Sequence, residues 1–129
     1  MNLERWIERT ITIQQIPAPT FQEEKRALYI QAAFQEAELE GVHCDPAGNI
    51  IGCRGSMSGP AVVVCAHLDT VFPANQTLDI KHAGSTLYGK GIGDNSVALS
   101  ALLELMEDTS AMDLPAAVWF AATVGEEGL

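Results

Sequence analysis

A run of apolar residues over 61–66 ends at His67, and Asp69 follows two residues later. A continuous apolar stretch of this length predicts a β-strand that is buried on both faces, as in a parallel sheet. Ligands of parallel α/β sheets bind beyond the carboxyl ends of the strands. The strand would therefore deliver His67 to such a site, where Asp69 can accept a ring N–H and orient the imidazole for metal binding.

Two more acidic sites, one single residue and one adjacent pair, follow the same pattern, in which carboxylates come directly after a strand or turn. Asp94 comes after a glycine-rich turn over 89–93. Glu126 and Glu127 follow an apolar run over 116–123, which also predicts a buried strand. Two adjacent acids can have different roles, since one can bind a metal while the other takes a proton from water. The sequence therefore predicts part of a metal site.

Each of these residues also has an alternative structural interpretation. A single histidine is more often structural than a metal ligand. Asp94 can serve as the N-cap of the helix that follows it, and a pair of acids in a turn is commonly just solvated. The spacing of Gly89 and Gly91 resembles a dinucleotide-binding loop, but Asp94 occupies the position of the third glycine and its charge opposes a pyrophosphate group. Nucleotide binding is therefore the less favoured interpretation.

The order of the predicted elements indicates one three-layer α/β domain with a mixed sheet. The periodicity of the apolar residues predicts helices over 2–15, 20–39 and 95–109. Strands are predicted over 42–45, 49–54, 61–66 and 116–123. The strand at 61–66, the helix at 95–109 and the strand at 116–123 form one βαβ unit, so these two strands should be parallel.

The second predicted helix has a recognisable start. Pro17 and Pro19 end the helix before it. Thr20 and Glu23 have the spacing of a capping box, in which the threonine side chain accepts one free N–H of the helix and the glutamate reaches back to another. The chain is therefore expected to enter this helix at Thr20.

Composition limits the classes of partner. The chain has 129 residues, enough for one domain with a hydrophobic core, and its net charge is −10 at pH 7. Nucleic acids and anionic membrane surfaces require a basic face, so neither is expected as a partner. The N-terminus lacks the features of a signal peptide, and the apolar runs are too short to span a bilayer. We therefore expect a cytoplasmic protein.

The three cysteines fit the same compartment. Cys44, Cys53 and Cys65 are odd in number and lack the spacing of a metal-binding Cys-x-x-Cys pair. Cys65 lies within the apolar run and is expected to be a buried thiol. Cys44 and Cys53 can face each other across the predicted hairpin, but reduced thiols are the simpler expectation in the cytoplasm.

Three motifs occur in an order that resembles the two-zinc exopeptidase and deacylase family. They are Ala66-His67-Leu68-Asp69-Thr70-Val71, Gly89-Lys90-Gly91-Ile92-Gly93-Asp94 and Gly125-Glu126-Glu127-Gly128. This family includes acetylornithine deacetylase, succinyl-diaminopimelate desuccinylase, tripeptide aminopeptidase, aminoacylase and the glutamate-releasing carboxypeptidases. The resemblance implies a phosphorylase/hydrolase-like catalytic domain with αβα layers. It also implies cleavage of a peptide or amide bond in a small peptide or an N-acyl amino acid.

The resemblance further implies a role for each site residue. His67 would ligate one zinc ion, and Asp69 would orient it. Asp94 would bridge two zinc ions, with Glu127 as a ligand of the second, and the peptide bond after Asp94 is often cis in the family. Glu126 is similar to the general base, which takes a proton from water and returns it to the leaving amine. Co²⁺ and Mn²⁺ are alternatives, because histidine and carboxylate ligands do not discriminate sharply among these ions.

The chain departs from the family pattern in two ways. Many members carry Asp-x-Lys where this sequence has Asp94-Asn95-Ser96. The family also needs another aspartate ligand, a late histidine ligand and an inserted lid and dimerisation domain, none of which occurs before Leu129. His43 and His82 match no family motif and are expected at the surface. We therefore expect residues 1–129 to be the N-terminal portion of a catalytic domain.

A non-catalytic module is the alternative expectation. Such a module would bind a metal or a partner and retain the fold without a complete site. An exposed apolar edge could then mediate self-association into a homodimer.

Overall fold

Residues 2–56 and 58–128, which the computed structural model describes, form three α-helices and six β-strands. The helices are α1 (Leu3–Gln14), α2 (Glu24–Glu36) and α3 (Val97–Asp108). The strands are β1 (Glu40–Cys44), β2 (Ile50–Arg54), β3 (Ala61–His67), β4 (Lys81–Ala83), β5 (Thr86–Tyr88) and β6 (Ala117–Thr123). Short helical turns cover Ile92–Ser96, Thr109–Ala111 and Glu126–Gly128. None of the described helices combines the length and the apolar character needed to cross a membrane.

Four of the strands form one mixed sheet in the order β1-β2-β6-β3. β2 pairs antiparallel with both β1 and β6, whereas β3 pairs parallel with β6. β4 and β5 form a separate antiparallel hairpin. The predictions of a mixed sheet and of a parallel pair at 61–66 and 116–123 are therefore confirmed.

The three helices pack on one face of the sheet around a single buried cluster. The cluster includes Ile13 of α1, Phe34 of α2, Leu103 of α3 and Phe120 of β6. The rings of Phe34 and Phe120 meet edge to face with centroids 6.5 Å apart. On the opposite face Val63 is 65% exposed. Residues 2–56 and 58–128 thus supply the sheet and one of the two helical layers expected from the sequence.

The prediction that the strand at 61–66 is buried on both faces is wrong. β3 lies at the edge of the sheet, and β6 is its neighbour. Val62 and Val63 are more than half exposed, and Cys65 is exposed, which corrects the expectation of a buried thiol. An apolar run indicates that its side chains favour burial. Whether they are buried depends on which elements pack on each face of the sheet.

The predicted capping box is also wrong. α2 begins at Glu24, and no side chain forms a capping hydrogen bond at its start. The φ of Phe21 is +64°, a left-handed conformation that a right-handed helix cannot contain. Thr20 instead donates to Asp69 of the candidate site, whereas Glu23 does reach back to a backbone N–H, that of Phe21, and also accepts the N–H of Gly125.

The hairpin register separates the two cysteines that the sequence left as a cross-strand pair. Cys44 lies opposite Ile50. Cys53 lies opposite Glu40, at the far end of the hairpin. The turn that joins β1 to β2 sets this register, because the strands on either side of it must pair outward from its two ends.

A cluster of ion pairs binds α1 to α3. Arg5 Nη2 lies 2.7 Å from Glu104 Oε2, and Arg9 Nη1 lies 2.9 Å from Glu104 Oε1. Glu107 pairs with the same two arginines. Because the Glu104 side chain is fully buried, its charge needs these partners.

Candidate metal centre

Two parallel strands, β3 and β6, end side by side. Their carboxyl ends bring His67 close to the acidic pair, Glu126 and Glu127. His67 is the last residue of β3 and lies opposite Thr123, the last residue of β6. The chain then turns at Gly125, whose φ is +73°, a conformation that glycine adopts readily. The imidazole and both carboxylates therefore lie at the carboxyl ends of these strands, as predicted.

Both ring nitrogens of His67 lie close to oxygen atoms. Nδ1 is 3.1 Å from the backbone oxygen of Asp69 and 3.4 Å from Asp69 Oδ1. Because a carbonyl oxygen only accepts hydrogen bonds, this contact assigns the N–H of the neutral ring to Nδ1 and the lone pair to Nε2. Nε2 lies 2.8 Å from Asp94 Oδ1. At 2.8 Å these two atoms are within hydrogen-bond distance, and both atom types can also ligate a metal ion.

A glycine-rich turn carries Asp94 towards the end of β3. Gly91 has a φ of +70°, and a Cβ at that position would lie 3.1 Å from Thr70 Cγ2. Asp94 has non-helical backbone angles, and its peptide bond to Asn95 is cis, as the resemblance implied. Ser96 occupies the N-cap position of α3, so the alternative that Asp94 caps this helix is wrong. The Asp94 side chain is 73% exposed and accessible to an ion or a substrate.

His67, Asp94 and Glu127 form a group that could hold a metal ion. One ligand atom from each residue lies within 4.8 Å of the others. Glu126 Oε2 lies 3.9 Å from His67 Nε2, at the side of this group. Imidazole and carboxylate are ligand types that Zn²⁺ and similar divalent ions accept. The structure thus brings together the residues that the sequence singled out, while their separate roles stay predictions.

Asp69 lies beside this group and is fully buried. Its Oδ1 accepts the N–H of Glu126 at 3.1 Å. Its Oδ2 accepts the N–H of Glu127 at 2.9 Å and the hydroxyl of Thr20 at 3.1 Å. Burial acts to raise the pKa of Asp69, but the hydrogen bonds that it accepts outweigh burial and lower this pKa below its ordinary value. Asp69 is therefore a charged acceptor that fixes the turn carrying the acidic pair.

Three residues around the site were not predicted from the sequence: Thr20, Glu23 and Arg26. Glu23 is buried, and its Oε1 accepts the N–H of Gly125 at 3.1 Å. Arg26 is also buried and donates from Nη1 to the backbone oxygen of Leu68 at 2.8 Å. Burial lowers the pKa of Arg26 to about 10. A charged residue at a buried position of a helix is a signal that could have identified Arg26.

Solved structures of other proteins share this fold, and two of them illustrate the similarity to this chain. A tripeptidase from Staphylococcus aureus matches with a TM-score of 0.84 and 24% sequence identity, over 99% of this chain and 38% of that protein. A dinuclear metal-binding peptidase of the M20 family from Bacillus subtilis matches with a TM-score of 0.68 and 19% identity, over 96% of this chain and 36% of that protein. Likeness at these identities shows the fold, and it confirms the predicted fold class.

A curated relative and a family model agree with the motifs. A protein from Pyrococcus abyssi named as a LysW-lysine/LysW-ornithine hydrolase is 34% identical over 114 residues. The match covers 88% of this chain but 31% of the relative, so this chain spans less than a third of that protein's length. The model of Peptidase family M28 matches residues 49–129, the part of the chain that contains all three motifs. The chain therefore belongs to peptidase family M28.

Proposed function

We propose that the whole protein is a metal-dependent hydrolase that cleaves a peptide or amide bond in a small substrate. In this proposal residues 1–129 form the N-terminal portion of its catalytic domain. The supporting observation is the approach of His67 Nε2 to Asp94 Oδ1 at 2.8 Å, with a Glu127 oxygen within 4.8 Å. Membership of a peptidase family supports the class of reaction.

Two Zn²⁺ ions are the proposed cofactors, with Co²⁺ or Mn²⁺ as alternatives. His67, Asp94 and Glu127 would hold them, and Asp94 can serve both because a carboxylate has two oxygen atoms. The likeness to a dinuclear metal-binding peptidase supports two ions. Three ligand residues shared between two ions are few for tetrahedral sites. Metal binding by residues 1–129 alone should therefore be weak.

One side chain beside the proposed metal ligands, that of Glu126, would transfer a proton during hydrolysis. When bound, the ions supply Lewis acidity that lowers the pKa of water and polarises a carbonyl group. Glu126 would accept a proton from the attacking water while the oxygen of that water forms a bond to the carbonyl carbon. The C–N bond then breaks, and Glu126 returns the proton to the leaving amine. Asp69 would hold the His67 ring and the turn that carries Glu126 in place.

Small peptides and N-acyl amino acids are the proposed substrates. The likeness to a tripeptidase covers nearly the whole chain and supports a peptide as the favoured substrate. The relative from Pyrococcus abyssi is named for hydrolysis of LysW-lysine and LysW-ornithine, which supports an amino acid conjugate as the second class. The net charge of −10 argues against a polyanionic substrate.

Hydrolysis by the natural protein, purified from its source cells, tests this proposal with a tripeptide and an N-acetyl amino acid as substrates. We expect a chelator to abolish hydrolysis and added Zn²⁺, Co²⁺ or Mn²⁺ to restore it. E126Q should lower kcat about 10²–10⁴-fold, the usual contribution of a general base. E24Q, at an exposed position, is the matched control. Hydrolysis that persists unchanged after chelation and in E126Q would contradict the proposal.

A further inference from the structure

Glu23 connects the segment before α2 to the turn that carries the acidic pair. Glu23 is 5% exposed. Its Oε1 accepts the N–H of Phe21 at 2.9 Å and the N–H of Gly125 at 3.1 Å. A buried carboxylate is costly unless hydrogen bonds satisfy it, so both contacts help the fold to accommodate this side chain.

Two buried carboxylates share three consecutive backbone N–H groups of this turn. Gly125 donates to Glu23, while Glu126 and Glu127 donate to the two oxygens of Asp69. The first N–H groups of a helical turn have no partner within the turn itself. The position of the turn is therefore set by carboxylates that come from two other segments of the chain.

A role in starting α2 does not explain the Glu23 side chain. Glu23 occupies the N-cap position of α2 but makes no side-chain hydrogen bond there. Its carboxylate bonds to Phe21, before α2, and also to Gly125, across the interface between this segment and the end of β6. The same oxygen therefore joins the segment before α2 to the turn after β6.

We propose that Glu23 is a positioning residue for the acidic pair. By fixing Gly125, it sets where Glu126 and Glu127 leave the backbone and hence how far their carboxylates lie from His67. The present distance from Glu126 Oε2 to His67 Nε2 is 3.9 Å. The inference rests on the proposed function, because the acidic pair needs a fixed position only if it binds metal and transfers a proton.

Amide hydrogen exchange and Mn²⁺ titration of the 129-residue chain, both followed by NMR, test this role. In E23A the Gly125 amide should exchange about tenfold faster, as expected for the loss of one hydrogen bond. The affinity for Mn²⁺ should fall about 10- to 100-fold, the usual effect of removing a group that orients a metal ligand. E23Q keeps an oxygen that can accept both N–H groups and should rescue both properties. E24A is the control at the neighbouring exposed position.

E23D provides the test if E23A does not fold. Its carboxylate is one methylene shorter, so it should lose the contact with Gly125 while keeping its charge. The proposal is overturned if a folded E23A or E23D variant retains either the Gly125 exchange rate or the Mn²⁺ affinity of E24A. It is also overturned if E23Q weakens Mn²⁺ binding as much as E23A does.

The same measurements separate this proposal from the proposed function. If the wild-type chain binds no Mn²⁺ at all, residues 1–129 do not form the metal site that supports the proposed function. The exchange rate of the Gly125 amide in E23A then decides alone whether Glu23 fixes the turn: faster exchange supports that role, and an unchanged rate overturns it.

Discussion

The carboxylate of Asp69 accepts the backbone N–H of Glu127 at 2.9 Å, although 58 residues separate them in the chain. This hydrogen bond joins the loop after β3 to the loop after β6. The position of the Glu127 carboxylate therefore depends on a buried residue that also lies against the ring of His67. The two sides of the candidate metal centre are connected before any ion is bound.

Replacing Asp69 with asparagine should destabilise the fold. Asparagine keeps one acceptor oxygen but directs an NH₂ group towards donors that now bond to the second oxygen. A buried donor that loses its acceptor costs about 1–3 kcal/mol, so we expect D69N to lower the free energy of unfolding by about 2 kcal/mol in a urea titration. D79N, at an exposed aspartate, is the control. Equal unfolding midpoints for D69N and D79N would show that the Asp69 contacts contribute little.

Replacing Gly125 with alanine should also destabilise the chain. The φ of +73° costs a residue with a Cβ about 1–2 kcal/mol. The new Cβ would also lie 3.1 Å from Phe21 Cε1. We expect the Tm of G125A to fall by about 4–8 °C, the shift typical of such a change in a small domain. G93A is the control because no atom lies within 4 Å of a Cβ at Gly93; a smaller loss in G125A than in G93A would refute this explanation.

Acidification should weaken the contact between α1 and α3 through Glu104. Hydrogen bonding by Arg5 lowers the pKa of Glu104 below its ordinary value, against the opposing effect of burial. A carboxylate with a lowered folded-state pKa stabilises the fold above the unfolded pKa of about 4.3. This contribution is lost as the pH falls through the folded-state pKa.

Urea unfolding of E104Q and wild type as a function of pH measures this effect. At pH 7 the E104Q variant should be less stable than wild type, and the difference should shrink as the pH falls below about 4. E36Q, on the exposed side of α2, should show no such pattern. A difference between E104Q and wild type that does not change with pH would rule out this role for Glu104.

The site residues could be predicted because each follows a local signal. His67 and the acidic pair come directly after apolar strands, and Asp94 follows a glycine-rich turn. Parallel pairing of β3 with β6 then brings these strand ends together. Strand ends and turn residues are properties of short segments, so a single sequence carries them.

The supporting roles of Thr20 and Glu23 could not be predicted because the residues that they contact are distant in the sequence. The spacing of Thr20 and Glu23 predicts a local capping box. In the structure their side chains bond to Asp69 and Gly125, which the local pattern does not indicate. The exposure of Val63 was missed for a related reason. Its apolar character predicts burial, but whether another element covers Val63 depends on how all the elements pack and not on the sequence of the strand itself.

The most direct test of the account is a calorimetric titration of the 129-residue chain with Zn²⁺. His43 and His82 are both exposed, as predicted, so H82A is a matched control for H67A. We expect wild type and H82A to bind Zn²⁺ with the same affinity. The binding free energy should be smaller in magnitude than the about 10–16 kcal/mol typical of complete structural zinc sites. H67A should lose most of this binding. Equal binding by H67A and wild type, or no binding by wild type, would contradict the assignment of the metal centre to His67, Asp94 and Glu127.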